Sequence, residues 1–292
     1  MSYPPLLLHL RIPFGVYLMP VFLFALSQAD SLDWNSTLAC FVALHFFLYP
    51  ASNGYNSYMD KDTGSIGGIK SPPKVPKSMF VLSLILDSVG ILLVYFWVSN
   101  PVASALALLY VLASRAYSYR KIRIKKFPVL GFLHVSIFQG VVIFLLVSIS
   151  TGRTILYDME FMVSLCMAFV LVGAGYPLTQ VYQHEQDKKD GVKTLSMLLG
   201  IRGTFVFSSI LFAALGALAF YYFGILQQKW SYLLLFALCT APVFGFFNLW
   251  MRSVFSKPEE ANFENTMRMN NIAAISVNVF FIILIFLEHS QS

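Results

Sequence analysis

The chain has 292 residues, 58% of them hydrophobic and 12% charged, with a net charge of +6 and a mean hydropathy of +0.70. That is far more apolar than an ordinary soluble domain, so the composition excludes one and points to an all-α, polytopic integral membrane protein. The positive charge falls on the ends of apolar segments and not in a separate basic domain, which excludes nucleic acid as a partner.

A helix crosses a bilayer in about 17 to 25 apolar residues. Nine such spans are predicted at roughly 12–28, 36–53, 79–99, 102–117, 129–150, 158–180, 204–226, 230–250 and 271–288. The fourth is the shortest and ends in Arg115, so eight spans and a re-entrant helix is the nearest alternative. The chain 1–292 reads as a single transmembrane domain. Arg11 and the stretches 54–77, 115–126, 188–202 and 252–268 hold every Lys and Arg except Arg153 and Lys229. By the positive-inside rule those stretches face the cytoplasm, with the N-terminus in and, for nine spans, the C-terminus out. In a bacterium this would be the inner, cytoplasmic membrane.

The first span is expected to be an uncleaved helix, because Met1–Leu10 lacks the basic residues of a signal peptide although Ser27-Gln28-Ala29 imitates a cleavage site. The second contains His45, expected to be a packed core histidine. It leads into Asn53-Gly54-Tyr55-Asn56-Ser57-Tyr58-Met59-Asp60-Lys61-Asp62-Thr63-Gly64, where hydrocarbon-compatible side chains give way to oxygen ligands. On a continuing helix Asn56 and Asp60 share one face, and Tyr58 and Asp62 another. Such a hard-oxygen cluster suits Mg2+ and, through it, a phosphate; a solvated helix end is the plainer alternative. The following loop, 64–77, has three glycines, three prolines and three lysines. It is expected to be either a connector drawn to anionic headgroups or a mobile cover whose lysines, Lys70 among them, meet a polyanion.

The third span carries Asp87, expected to bond a neighbouring helix or to serve catalysis. The fourth ends in a basic stretch from Arg115 to Lys126, six cations in twelve residues interleaved with Tyr117 and Tyr119. This is a membrane-edge anchor or what a diphosphate requires at a cavity mouth. The fifth holds His134 and Gln139, both expected to be structural. The sixth ends in the second acidic exit, 183–194, with Glu185, Asp187 and Asp190. His184-Glu185 is not a zinc motif, since Lys188 stands where the second histidine belongs. Cys40, Cys166 and Cys239 lie inside spans without CxxC spacing and read as buried small hydrophobes.

The two acidic exits follow the second and sixth spans, and basic ends follow the fourth and eighth. The chain therefore reads as two parallel four-helix repeats and a final helix, which bring both acidic exits to one side of a central cavity. Facing carboxylates repel a diphosphate unless divalent cations bridge them, and two Mg2+ ions would meet that need.

These residues resemble the UbiA superfamily of intramembrane prenyltransferases. Asn56 and Asp60 match its first aspartate-rich motif, with Ser57 and Gly64 at two of its aspartate positions and Asp62 as substitute. Asp187 matches the end of the second motif, Gln183 replaces its first aspartate, and Gly191, Lys193, Thr194 and Leu195 fit the pattern that follows. Tyr117 to Lys126 is similar to the family's tyrosine and lysine loop. The resemblance implies Mg2+-assisted ionisation of an isoprenoid diphosphate and attack by a lipophilic acceptor, an aromatic or a quinone precursor, among membrane lipids. It implies catalytic Asp60 and Asp187, with Asn56, Asp60 and Asp62 on one metal ion and Glu185, Asp187 and Asp190 on the other. Lys70, Tyr117, Arg120, Lys125 and Lys193 are the implied diphosphate ligands. A terpene cyclase on the same scaffold and a secondary transporter are the other functions weighed.

Overall fold

The computed structural model describes residues 4–29, 32–153 and 155–289, and their regular structure is helical, with one isolated bridge between Ile66 and Ile69 in a loop. Helix α1 runs Pro5–Tyr17 and, after a 43° bend, Met19–Leu26. The bend follows from sequence: Pro13 and Pro20 each remove a ladder donor, and Arg11 adopts a left-handed conformation with φ 49°. Helix α2 covers 34–60, α3 Met79–Val98, α4 Pro101–Ser118, α5 Pro128–Ser150 and α6 Met159–Gln180. The short α7 is His184–Lys189, followed by α8 Leu195–Leu226, α9 Trp230–Ser256 and α10 Phe263–Glu288.

Side-chain caps set several starts by accepting from otherwise unpaired amides. Asp33 accepts from the amides of Asn35 and Ser36 before α2, and Asn100 from those of Val102 and Ala103 before α4. Asp158 caps α6 through the amide of Phe161, and Thr194 caps α8 through that of Met197. Two matched ends support the duplicated arrangement. Helix α3 closes in a π-helical turn, Val94–Val98, followed by left-handed Ser99, and α8 closes in Phe220–Leu226, with left-handed Gln228 two residues on.

Among the described residues six helices are long and apolar enough to cross a membrane, or seven if the bent α1 is one span. The expected nine are not reached by this measure. Helix α2 dilutes its apolar run with Asn35, Ser36, Thr37 and His45 before its polar end, and α4 is short and carries Arg115. The belt of α3, α9 and α10 exposes large apolar side chains such as Phe96, Trp97, Leu238 and Phe286. That pattern suits hydrocarbon and would be a severe liability in water. The chain is an integral, multi-pass membrane protein.

The core joins both halves: Phe24 of α1 packs against Phe144 of α5 and Phe281 of α10, each pair with centroids 5.1 Å apart. A second cluster around Leu178, Phe205, Phe247 and Trp250 ties α8 to α9. Helices α5 and α6 approach so closely at Gly140 that an added Cβ would lie 2.5 Å from the Ala168 carbonyl oxygen. His45 is indeed a packed residue, buried against Phe41 and Tyr49 with Nδ1 on the Phe41 carbonyl at 3.1 Å. Asp87 takes the first of its two expected roles. Arg115 donates to it and to the Ser83 carbonyl, and stacks 3.9 Å over the Tyr55 ring. Of the cysteines only Cys40 is fully buried; Cys166 is exposed on the outer surface of α6, a position that faces lipid and does not pack in the core.

Candidate active site

A cavity of about 340 Å³ opens at the end of the bundle where α2 and α6 terminate. Its body is apolar, lined by Leu18, Val21, Phe138, Val172, Ala274 and Val277, and its mouth is polar. The mouth is assembled by helix endings. Helix α2 stops because Lys61 adopts φ 54° and returns its amide to the Ser57 carbonyl at 2.9 Å, which leaves Asp60 on the last turn and Asp62 just beyond. Opposite, α7 presents Gln183, Gln186 and Asp187, spaced i, i+3 and i+4, to the cavity.

Six of the residues singled out in sequence line this cavity: Asn56, Asp60, Asp62, Tyr117, Lys125 and Asp187. The Asp60 carboxylate is buried and saturated. Lys125 donates to Oδ2, Asn56 Nδ2 donates to Oδ2 at 2.8 Å, and Arg123 approaches Oδ1 at 3.4 Å. Asn56 also donates to Ser118 at 3.0 Å, fixing the end of α4 against α2. Tyr117 shares a hydrogen bond with Tyr176 and stacks on His134 with a centroid separation of 5.5 Å. His134 and Gln139 thus line the cavity in addition to packing the helix.

The remaining five are placed elsewhere. Glu185 is exposed, since it falls two positions after Gln183, on the face of α7 opposite the cavity. Lys193 is exposed because the chain is extended there, with Val192 and Thr194 turned inward on either side. Lys70 pairs at the surface with Glu264. Its loop is packed at Ile66, which is 4% exposed, and at Gly67, where a Cβ would meet the Phe14 ring at 2.8 Å. The loop contributes Ile66 and Gly67 to the mouth, and its lysines do not line it. Arg120 and Asp190 lie behind the mouth: Arg120 donates to the Met59 carbonyl at 2.7 Å and to Asp190 Oδ1 at 3.4 Å.

Several residues at or just behind the mouth are not among the site residues expected from sequence. Arg123, 7% exposed, sits at a left-handed turn with φ 49° and donates to both the carbonyl and the carboxylate of Asp190. Its signal was present in the basic stretch, but sequence spacing does not say which of six cations turns inward. Arg11 lines the cavity and donates to the carbonyls of Asn53 at 3.2 Å and Gly67 at 3.5 Å. It reads in sequence only as a topology marker. Gln186 accepts from the Gly64 amide at 2.8 Å and donates to Asp62, while Gln183 donates to the Ser65 carbonyl at 3.3 Å.

Burial first, and then the Asp60 charge, hold the Asp62 carboxyl above the usual range against the opposing pull of Lys125, Gln186 and Arg11. Burial also pushes Asp187 up to about 6; Lys125 opposes this and the carboxylates Asp62, Asp60 and Asp190 add to it. Both carboxylates are partly dehydrated, the Asp62 charge adds to the rise at Asp187, and carboxylate oxygens are the ligand type that a hard divalent ion takes. Among the described residues no three His, Cys, Asp or Glu side chains converge on one point. Mg2+ fits that limit, since it keeps waters and takes phosphate oxygens around one or two carboxylates.

Fold and site together define an intramembrane protein for an amphiphile with an anionic head: cations and carboxylates at the mouth, hydrocarbon-lined space below. The chain belongs to the UbiA prenyltransferase family, whose profile matches residues 17–272. Its fold is similar to that of a UbiA homolog from Archaeoglobus fulgidus bound to GPP and Mg2+, with a TM-score of 0.69, 16% identity, and 97% of this chain and 99% of that one covered. It is also similar to the apo structure of a UbiA homolog from Aeropyrum pernix K1 (TM-score 0.68, 17% identity, 95% and 98% covered). A structure described as digeranylgeranylglyceryl phosphate synthase aligns over 96% of both chains at 20% identity with a TM-score of 0.61. No protein of curated function matches the chain. At these identities the structural likeness concerns the fold.

Proposed function

We propose that residues 1–292 form one intramembrane transferase that moves a prenyl group from an isoprenoid diphosphate to a lipophilic acceptor, an aromatic or quinone precursor. One observation carries the reading: a single cavity joins a mouth of Asp62, Asp187, Lys125 and Arg11 to an apolar body of Leu18, Val21, Phe138 and Val277. Divalent-bound diphosphates and the hydrocarbon tail attached to them require those two surfaces in that order. The A. fulgidus homolog solved with GPP and Mg2+ supports the same assignment.

Asp62 and Asp187 would hold Mg2+, which when bound neutralises the diphosphate and assists its departure. Lys125 and Arg11 contact the outer phosphate oxygens from the cavity wall. The bond between the allylic carbon and the diphosphate oxygen breaks with its electron pair leaving on oxygen. Tyr117, Tyr176 and His134, at the upper cavity wall, place electron-rich surfaces beside the allylic cation. The acceptor's nucleophilic carbon or oxygen then bonds to that carbon and gives up its proton to the released diphosphate. Arg11 and Lys125 line the mouth, whereas Arg153 and Lys229 line a separate polar cavity. This distribution supports a mouth that opens to the cytoplasm, with the N-terminus on that side.

Incubation of the reconstituted protein with radiolabelled geranyl diphosphate and a lipid extract tests the reading. Transfer to a lipid is expected with Mg2+ and is lost with a chelator, and Asp62→Ala and Asp187→Ala each abolish it in folded protein. Diphosphate release without any acceptor would assign a cyclase instead. Retained transfer in either variant would overturn the site.

A further inference from the structure

We propose that this site takes one divalent cation, bracketed by Asp62 and Asp187, and that the chain itself fills the place of a second. The inference rests on the prenyl-transfer reading and sharpens its metal requirement. Three features of the mouth carry it.

Asp60 is already neutralised from within. Its carboxylate accepts from Lys125 and Asn56 and faces Arg123, and its side chain is 2% exposed. A lysine ammonium on one oxygen and a guanidinium on the other supply what a metal ion would supply, and a buried, doubly paired carboxylate has little left to offer an ion. Asp190, the other acidic residue near α7, is likewise committed. Arg123 donates to its carbonyl at 3.0 Å and to its carboxylate, and Arg120 approaches at 3.4 Å.

The two acidic motifs are also bridged directly. Gln186 joins the Gly64 amide to the Asp62 carboxylate, and Gln183 reaches the Ser65 carbonyl. Both glutamines lie on the cavity face of α7 beside Asp187. Carboxamides there span the gap between the motifs with neutral hydrogen bonds, where carboxylates would repel Asp62 and demand another cation. What remains is Asp62, with one oxygen held by Gln186, and Asp187, whose carboxylate accepts no side-chain hydrogen bond among the described residues. One from each motif, both line the mouth, and the Asp62 charge is felt at Asp187.

The count of bound Mn2+ tests this, measured by electron paramagnetic resonance on detergent-purified full chain with a geranyl diphosphate analogue whose bridging oxygen is replaced by sulfur, so that it binds without ionising. One Mn2+ per chain is expected. Asp62→Asn and Asp187→Asn are each expected to weaken that ion by about tenfold or more, while Asp60→Asn leaves the stoichiometry at one. Gln183→Asp combined with Gln186→Asp, checked for folding by its elution profile and thermal transition, is expected to raise the count to two. Two ions in the unaltered protein, or loss of the ion in Asp60→Asn but not in Asp187→Asn, overturns the single-ion arrangement and leaves prenyl transfer standing. A double variant that folds and still binds one ion overturns the part given to the glutamines. No Mn2+ bound with the analogue present overturns both the arrangement and the reading on which it rests.

Discussion

Asp187 stands where burial and neighbouring carboxylates oppose its ionisation, and its carboxyl is pushed up to about 6 from an ordinary 3.8. A carboxyl whose folded value is raised keeps its proton in the folded state after the unfolded chain has lost its own. The metal-free protein therefore loses stability as pH rises from about 4 through about 6. Asp187→Asn removes that penalty. A thermal transition measured in chelator at pH 7 is expected to lie higher in the variant, by roughly 1–2 kcal/mol of stability, with the difference gone below pH 4. Divalent binding has the opposite slope, weakening as pH falls through about 6, because protonated Asp187 offers no charge. Asp60 shows the complementary lesson. Sequence spacing marks it as a metal ligand, but whether a carboxylate meets an ion or a lysine depends on which cations of a distant loop reach it.

At the scale of elements, a buried ion pair ties α3 to α4. Asp87 and Arg115 are 9% and 15% exposed at the side chain, and Arg115 is also held by Ser83 and the Tyr55 ring. Removing one partner leaves a charge unpaired in a low-dielectric setting, typically at a cost of about 3–5 kcal/mol, whereas replacing both with apolar residues costs far less. Asp87→Leu is expected to lower the thermal transition strongly and Asp87→Leu with Arg115→Met to restore most of it, which a double-mutant cycle in detergent measures. Tyr55 directly precedes Asn56, and Arg115 is three residues before Ser118, so this pair also fixes the register that lets Asn56 reach Ser118. Prenyl transfer is expected to follow the same order among the three proteins. Helix caps and stops such as Asp33, Asn100 and Lys61 are written locally, and the elements they bound are the most legible part of this chain. The turn 119–126 is not, because its course is set by buried Arg123 and its partner Asp190, 67 residues away.

For the whole molecule, the distribution of cations predicts orientation. Cysteines placed at exposed Lys193 and at Lys229, in a background where Cys40, Cys166 and Cys239 are replaced, are expected to label from opposite sides of sealed inside-out vesicles. Lys193→Cys should react with an impermeant maleimide and Lys229→Cys only after the membrane is opened; the reverse result would invert the topology. By itself the sequence determined that this is a polytopic helical membrane protein and that two polar exits share one side. Hydrophobic run length, charge placement and local capping are properties of contiguous residues. Only the tertiary structure decided which polar side chains meet at the mouth. Glu185 and Lys193 turn away although their neighbours turn in, Arg11 enters from a helix that carries no motif, and Arg123 is the cation of the basic stretch that turns in onto Asp60 and Asp190. Those outcomes depend on the rotation of α7, on the left-handed turn that turns Arg123 of the basic stretch inward after α4, and on packing between residues more than sixty positions apart, none of which a linear spacing records.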